Sequence, residues 1–486
     1  MTCLITSVGY CVAARRWAKL DPQVKIVYKY SMETQKIQQP KDDFAYVDFG
    51  DKRLNKRLQT AVENSTKNAE KSILGSGKGR SSAKAFYRLL GNKKFDMDQM
   101  LGSVGASTLD KMSGTVLLVQ DTTDVNLNGH KKTEGLGYSS EHVRGVKVHS
   151  CIALCAETGL PFGLLDQTYE SRQESKSPLT KAEKAARPIE EKESFRWIET
   201  LRGVTEIAPE GVHFITVCDR EADFYELYAE AMEIGEDFVI RVTHDRWSVE
   251  NEKIMTKIRQ TKGSGTVIVS IPRDSRKGVP AREAELEVAY CEVTVIKPAS
   301  VRNPNIPPKL TFNLVRVTEI NPPGGCEPIE WILATSLSIS CVEDAMRVVE
   351  YYVQRWKIER FHYVLKSGMG AEKIQQRTYE RIKPVLLIYS VIALFIMAIT
   401  YMGRVLPNAP CSLFFTDDEW KILYRVVNKT KVAPEEPYTM AEAVAYLGQL
   451  GSYKRAPSDG LPGLQSIWNG LFLLYFAVDI ILPQIE

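Results

Sequence analysis

The sequence predicts an α/β protein with helical segments at both ends and a β-rich insertion ahead of the last of them. Three observations predict it. Apolar β-type runs alternate with helical ones between about residues 115 and 244. Residues 245–335 change to short β runs separated by Pro, Gly and basic loops, and from 345 onward the pattern is helical to the end. The chain has 486 residues, 44% hydrophobic and 25% charged, which is ordinary for a soluble protein of two to four domains. A net charge of +3 leaves room for a nucleic-acid partner only through local basic patches.

Residues 1–42 read as a tail or extension, with Met32 a candidate start, and the basic residues that follow the short apolar run near the terminus argue against a signal peptide. Residues 43–105 form a basic helical module, "DKRLNKRLQTAVENSTKNAEKSI" and "AKAFYRLLGN" flanking the glycine-rich "LGSGKGRSS", a composition suited to phosphate contacts. Residues 106–244 and 336–403 make the α/β core. Within it, "GTVLLVQDTT" is a strand, "VKVHSCIALCAETGLPFGLLDQTYE" a hairpin about Thr158-Gly159, and "KESFRWIETL" a helix. "VHFITVCDREADFYELYAEAMEIG" is a strand followed by a helix, and "DFVIRVTH" another strand. Residues 404–486 form a C-terminal helical region. "PVLLIYSVIALFIMAITYM", 384–402, approaches the length of a membrane span and is read as a buried core helix. Nine cysteines without a CxxC pair support neither a zinc site nor a disulfide framework and fit a reducing compartment.

Two strands are expected to end in carboxylates, Asp121 and Asp219, at the edge where α/β sheets place their sites. A third carboxylate, Glu359, lies in "YYVQRWKIERFHYVLKSG", 351–368. On one continuous helix, Tyr352, Arg355, Glu359 and Lys366 share a stripe about 60° wide, with Ile358, Phe361 and Leu365 opposite and facing inward. Three carboxylates suffice to hold two magnesium ions, which take hard oxygen ligands and stabilise both oxygens of an in-line phosphoryl transfer. Arg355 and Lys366 would clamp phosphate oxygens while Tyr352 donates a hydrogen bond. Each feature has a plainer alternative: helix-capping aspartates and a solvated charged face.

Taken together, "QDTT", "VCDREAD" and "YVQRWKIERFHYVLKSG", with flanking "FGDKRLNKRL", "RGVKVHS", "EKESFRW", "EWILATS" and "GAEKIQ", resemble the DDE transposases of the insertion-sequence-four family over about residues 43–486. The resemblance implies a ribonuclease-H-like catalytic core with a β-strand insertion, an N-terminal helical DNA-binding domain and a C-terminal dimerisation region. It implies Asp121, Asp219 and Glu359 as catalytic, metal-binding residues for two Mg2+ per site, with Mn2+ able to substitute. DNA contacts are implied for Tyr352, Arg355, Lys366, Arg241 and Trp331, the last stacking on a flipped base, and for Arg53, Arg57, Lys67 and Arg88 in the N-terminal module. The implied reaction is cut-and-paste transposition through a hairpin intermediate, with 3′ ends joined to target DNA. The implied partners are double-stranded transposon ends, target DNA and a second copy of the chain, in a bacterial cytoplasm and with no membrane. A stand-alone metal-dependent nuclease and a non-cleaving regulator remain alternatives. Arg355→Ala is expected to weaken DNA complexes at unchanged stability.

Overall fold

The computed structural model of the chain describes residues 2–5, 39–67, 80–173, 180, 187–271, 282–324, 327–454 and 461–482. Most of the expected tail, most of the glycine-rich stretch near 74–82 and the basic loop near 272–281 lie outside them. A short strand, β1 (Thr2–Ile5), comes first. Three helices follow, α1 (Lys52–Lys67), α2 (Arg80–Leu90) and α3 (Met97–Leu109). Helix α1 buries Leu54, Leu58 and Val62, one turn apart on one face, and α3 starts where Asp96 accepts the Asp98 and Gln99 N–H groups.

The core then runs β2 (Thr115–Asn126), β3 (Tyr138–Ser140), β4 (Val143–Cys155), β5 (Pro161–Glu170), α4 (Phe195–Glu206), β6 (His213–Cys218), α5 (Tyr225–Glu233) and β7 (Asp237–Arg241). The β4–β5 hairpin turns at Gly159, where φ is +66°, as the Thr158-Gly159 pair predicts. The spatial order is β5-β4-β2-β6-β7, with β5, β4 and β2 antiparallel and β2, β6 and β7 parallel. That is the ribonuclease-H-like arrangement.

The insertion contributes α6 (Ile254–Gln260), β8 (Gly265–Ile271), β9 (Arg282–Ile296), β10 (Lys309–Glu319) and β11 (Glu330–Thr335). Strand β11 pairs antiparallel with β7, Leu333 opposite Arg241, so the insertion continues the core sheet into one 11-stranded sheet with β1 parallel to β8 at its far edge.

Past the insertion come α7 (Val342–Gln354), α8 (Trp356–Tyr363), a π-helical turn at Val364–Gly368, and α9 (Tyr379–Val405). The chain closes with α10 (Asp417–Asn428), α11 (Met440–Leu450) and α12 (Leu464–Ile481). By length and composition α9 and α12 could each cross a membrane, but the apolar window of α9 is 94% buried, against β5, α11 and α12 among others. It is the core helix that its sequence predicts. A side chain at Gly470 would collide with the Leu447 carbonyl, which is what allows α12 to lie close against α11. Cys151, Cys218, Cys291, Cys341 and Cys411 are free thiols.

Candidate active site

Strand β2 is the middle one of the five core strands, and Val116 to Gln120 are fully buried. Its parallel pairing with β6 stops at Val119, while its antiparallel pairing with β4 runs on to Asn126. Asp121 therefore stands two residues beyond the parallel edge, in mid-strand and not at a strand end as the sequence suggested. The long β4 satisfies the backbone past it. Asp219 does end its strand: it follows Cys218, and its side chain accepts the Glu221 N–H at 2.8 Å, capping a short turn.

The third carboxylate arrives on a broken helix. At Arg355 the backbone tightens: its N–H donates to Tyr352 O at 3.0 Å, and Ile358 N–H donates to Arg355 O at 3.0 Å. The chain therefore forms α7 and α8 in place of one straight rod, and the π turn shifts Lys366 again. The single exposed stripe is thus corrected. Ile358, Phe361 and Leu365 face the core as expected, but Tyr352 is 3% exposed and Arg355 8%, leaving Glu359 exposed and Lys366 half-buried. The cover is β11: Trp331 stacks edge-on to Tyr352 at 5.5 Å and to Trp356 at 5.8 Å. With 7% of its surface exposed, Trp331 has almost no ring face free in this arrangement.

Arg355 joins the carboxylates. Its Nη2 donates to Glu359 Oε1 at 2.6 Å, its Nη1 lies 3.8 Å from Asp121 Oδ2, and its guanidinium sits 5.7 Å from the Tyr352 ring centre. Burial pushes the Asp121 carboxyl up to about 7; Asp219 and Glu359 add to this as like charges, while Arg355 and the Thr122 N–H pull the other way. Burial works against the Arg355 charge, but Tyr352, Glu359 and Asp121 outweigh it and raise its pKa. A neighbour that the sequence reading passed over is His362, buried with Nδ1 4.0 Å from Asp121 Oδ2. Burial, then Lys366 and Arg355, push it down to about 3, so it is a neutral imidazole. Its Nε2 has no partner among the described residues. The available signal was its spacing, three residues after Glu359 and seven after Arg355.

The donor set suits a hard dication: the ligands on offer are carboxylate oxygens, and Asp121 is a buried acid whose charge needs a nearby positive one. Among the described residues no three His, Cys, Asp or Glu side chains stand together at ligand spacing, and Glu359 is engaged by Arg355.

The other expected DNA contacts are dispersed. Arg53 and Arg88 are exposed, on α1 and α2, and Arg57 is half-buried. Lys67 pairs with Glu63 at 3.3 Å and reaches Asp479 of α12 at 3.9 Å, so it ties the N-terminal module to the C-terminal helix and does not project into open solvent. Arg241 ends β7 with Nη2 3.4 Å from Glu330 O. Sequence reading missed a basic cleft of 940 Å³ between α2 and the core, lined by Tyr87, His130, Lys131, Lys132, Arg377 and Arg381, with no carboxylate among the described residues of its wall. Gln376, 7% exposed, also lines it, and its amide has no partner among the described residues. The segments 130–132 and 375–381 are distant in sequence, and neither forms the cleft alone.

Comparison with known proteins finds two family models. One described as transposase DNA-binding matches residues 40–95, and one described as transposase DDE domain matches residues 112–396. Among solved structures, the cryo-EM structure of a piggyBac transposase synaptic complex with hairpin DNA is 11% identical. Its TM-score is 0.37, and the match covers 82% of this chain and 74% of that one, a likeness too slight to argue from.

Proposed function

From the premise that this chain belongs to the DDE transposase family, and so is a DNA-cleaving enzyme that depends on divalent metal, we propose a cut-and-paste transposase of the insertion-sequence-four kind, resembling that of transposon five. In this reading it binds the repeats at the ends of its element, nicks them, passes through a hairpin and joins the freed 3′ ends to target DNA. The observation that carries it is the buried Arg355 guanidinium set between two of the three carboxylates, 2.6 Å from Glu359 Oε1 and 3.8 Å from Asp121 Oδ2, with Asp121 itself raised by burial and by the like charges of Asp219 and Glu359.

Asp121, Asp219 and Glu359 would hold two Mg2+ ions, with Mn2+ able to substitute, and the bound ions supply Lewis-acid stabilisation of the attacking and leaving oxygens. The chain's own groups do the rest. Arg355 holds Glu359 and Asp121 when the site is empty of DNA, and its planar fork is suited to a phosphate once Glu359 turns away. Lys366, which with Arg355 acts on His362, adds a second cation. Tyr352, Trp331 and Trp356 form an aromatic cluster under the helix break, and Trp331 would have to swing out of it to stack on an extruded base. Arg241 sits one strand from Trp331 and would contact the same DNA strand. Arg53, Arg57 and Arg88 would grip the element end, while Lys67 anchors α1 to α12. The basic cleft beside Tyr87 continues the phosphate path from the N-terminal module toward the core. The apolar outer face of α12, Leu473, Phe476 and Ile480, would pair with a second copy in a homodimer. A bacterial cytoplasm, with the protein on the nucleoid when bound, fits this activity.

The test is a cleavage assay with purified protein and a fragment carrying the gene's own flanking inverted repeats, with and without Mg2+, beside Asp219→Asn and Glu359→Gln. The expected result is Mg2+-dependent nicking at the repeat boundary, lost in both variants with end binding retained. Binding without cutting would favour the regulator. Cutting with no preference for the repeats would favour the stand-alone nuclease.

A further inference from the structure

Four residues beyond Asp219, in "CDREAD", a second aspartate is wholly buried. The Asp223 side chain has no exposed surface and is satisfied on every side. Its Oδ1 accepts the Tyr228 hydroxyl at 2.7 Å and faces Arg246 Nη1 at 2.5 Å. Its Oδ2 accepts the backbone N–H groups of Thr243 at 2.5 Å and His244 at 2.7 Å. The Asp223 backbone carbonyl accepts Arg246 Nη2 at 3.0 Å and the His244 ring at 2.8 Å, and Arg246 lies 5.2 Å from the centre of the Tyr228 ring.

These partners are not scattered. Thr243, His244 and Arg246 form the root of the insertion, the stretch between β7 and α6, and Arg246 O receives the Ile254 N–H that starts α6. On the other side, Asp219 and Asp223 belong to one closed loop: Asp219 caps Glu221, Ala222 N–H donates to Asp219 O, and Asp223 N–H donates to Arg220 O. One short loop thus joins a carboxylate that faces the site to one locked into the insertion root. Burying a carboxylate and a guanidinium together is costly, and apolar residues would fill the same space at no electrostatic cost. What an apolar pair would not do is fix the backbone at 243–244 and the loop at 219–223 in one relative position.

We infer that Asp223 is a positioning residue for Asp219, holding the loop that carries it against the root of the β insertion, so that the seating of the insertion and the placement of Asp219 are one event. The inference rests on the reading of Asp219 as a metal-holding carboxylate. Groups that hydrogen-bond a metal ligand directly change metal affinity by about 10- to 100-fold, and Asp223, which acts on Asp219 through the loop backbone, is expected at the lower end of that range.

The experiment uses the full chain without DNA and follows the rise in melting temperature as Mn2+ is added, together with amide exchange of the peptide spanning 217–224, in Asp223→Asn, Arg246→Gln, Tyr228→Phe and Asp219→Asn. Asp223→Asn should raise the Mn2+ concentration for half-maximal stabilisation by about tenfold and speed exchange in the 217–224 peptide, with DNA binding unchanged. Arg246→Gln and Tyr228→Phe, which each remove one partner, should give smaller shifts in the same direction, and they decide the matter if Asp223→Asn does not fold. A lowered melting temperature with wild-type Mn2+ dependence and wild-type loop exchange would make Asp223 a packing residue and overturn the inference. If Asp219→Asn itself leaves the Mn2+ response unchanged, the metal-holding role of Asp219 fails, and the inference falls with it. If Asp219→Asn abolishes the response while the others leave it intact, only the positioning role fails.

Discussion

Arg355 is the residue on which sequence and structure part most sharply, and removing it tests the difference. As an exposed phosphate clamp it would be replaceable without loss of stability. In the fold its side chain is 9% exposed and lies 3.8 Å from an Asp121 that is itself 15% exposed. At that separation the attraction is about 4 kcal/mol for an effective dielectric of ~20, part of which is offset by burying the guanidinium. Glu359, half in solvent, adds little. In chelator at pH 8, Arg355→Gln should therefore cost about 2 kcal/mol in urea unfolding. Asp121→Asn should be neutral or stabilise by up to about 1 kcal/mol, because it deletes a carboxylate that burial and two like charges disfavour. In the double variant most of the Arg355→Gln cost should vanish, a coupling of about 1–2 kcal/mol. Additive effects, with coupling under about 0.5 kcal/mol, would mean that Arg355 does not hold the Asp121 charge, and the pairing of these two groups at the heart of the site would be refuted.

Glu236 is 7% exposed, and burial, then Asp237, push its carboxyl up to about 7. Because the folded value is the raised one, the fold prefers the protonated acid: this stability is fully present below the unfolded value and lost as pH rises through about 7. Glu236→Gln should therefore gain about 1–2 kcal/mol at pH 8 and nothing near pH 4, and an equal gain at both would exclude titration as the cause. Replacing Lys131 and Lys132 together by Gln should lower the salt slope of DNA binding by about 1–2 units in a titration from low to high salt, and an unchanged slope would remove the basic cleft from the DNA path. Phe476, 57% exposed on α12, is expected to hold the dimer. Phe476→Glu should weaken self-association at least about 100-fold by sedimentation while leaving the melting temperature unchanged, and a wild-type protein already monomeric under the same conditions would rule out this face.

Where local pattern governs, the sequence was readable. The order of apolar runs gave the core strands, and the Thr158-Gly159 turn gave the hairpin. The unbroken apolar face of 384–402 marked a helix inside the molecule. Where one segment's surroundings come from another far along the chain, it was not. A helical wheel assumes a straight rod, and nothing local to 351–368 announces the tightening at Arg355 or the strand β11 that covers Tyr352. Asp121 looked like a strand end because its neighbours turn polar, yet β4 carries the strand on. Lys67 is implied as a DNA contact by the resemblance, and its pairing with Asp479 of α12 is beyond any local pattern. The cleft at 130–132 and 375–381 is a product of assembly that no window of sequence contains, and the burial of His362 against Asp121 is set by strand β2, far from it along the chain.

The buried α9 also bears on how the protein is made. This 27-residue apolar helix leaves the ribosome after the core sheet that packs one side of it but before α11 and α12, which begin only at Met440 and Leu464 and pack against it from elsewhere. During that interval it is a span-like segment with much of its surface bare, a substrate for chaperones or for the membrane-insertion machinery. The C-terminal helices are thus a lid that arrives late in synthesis. Chains cut short after residue 405 would fail first by insolubility, before any question of dimerisation or DNA cutting arises.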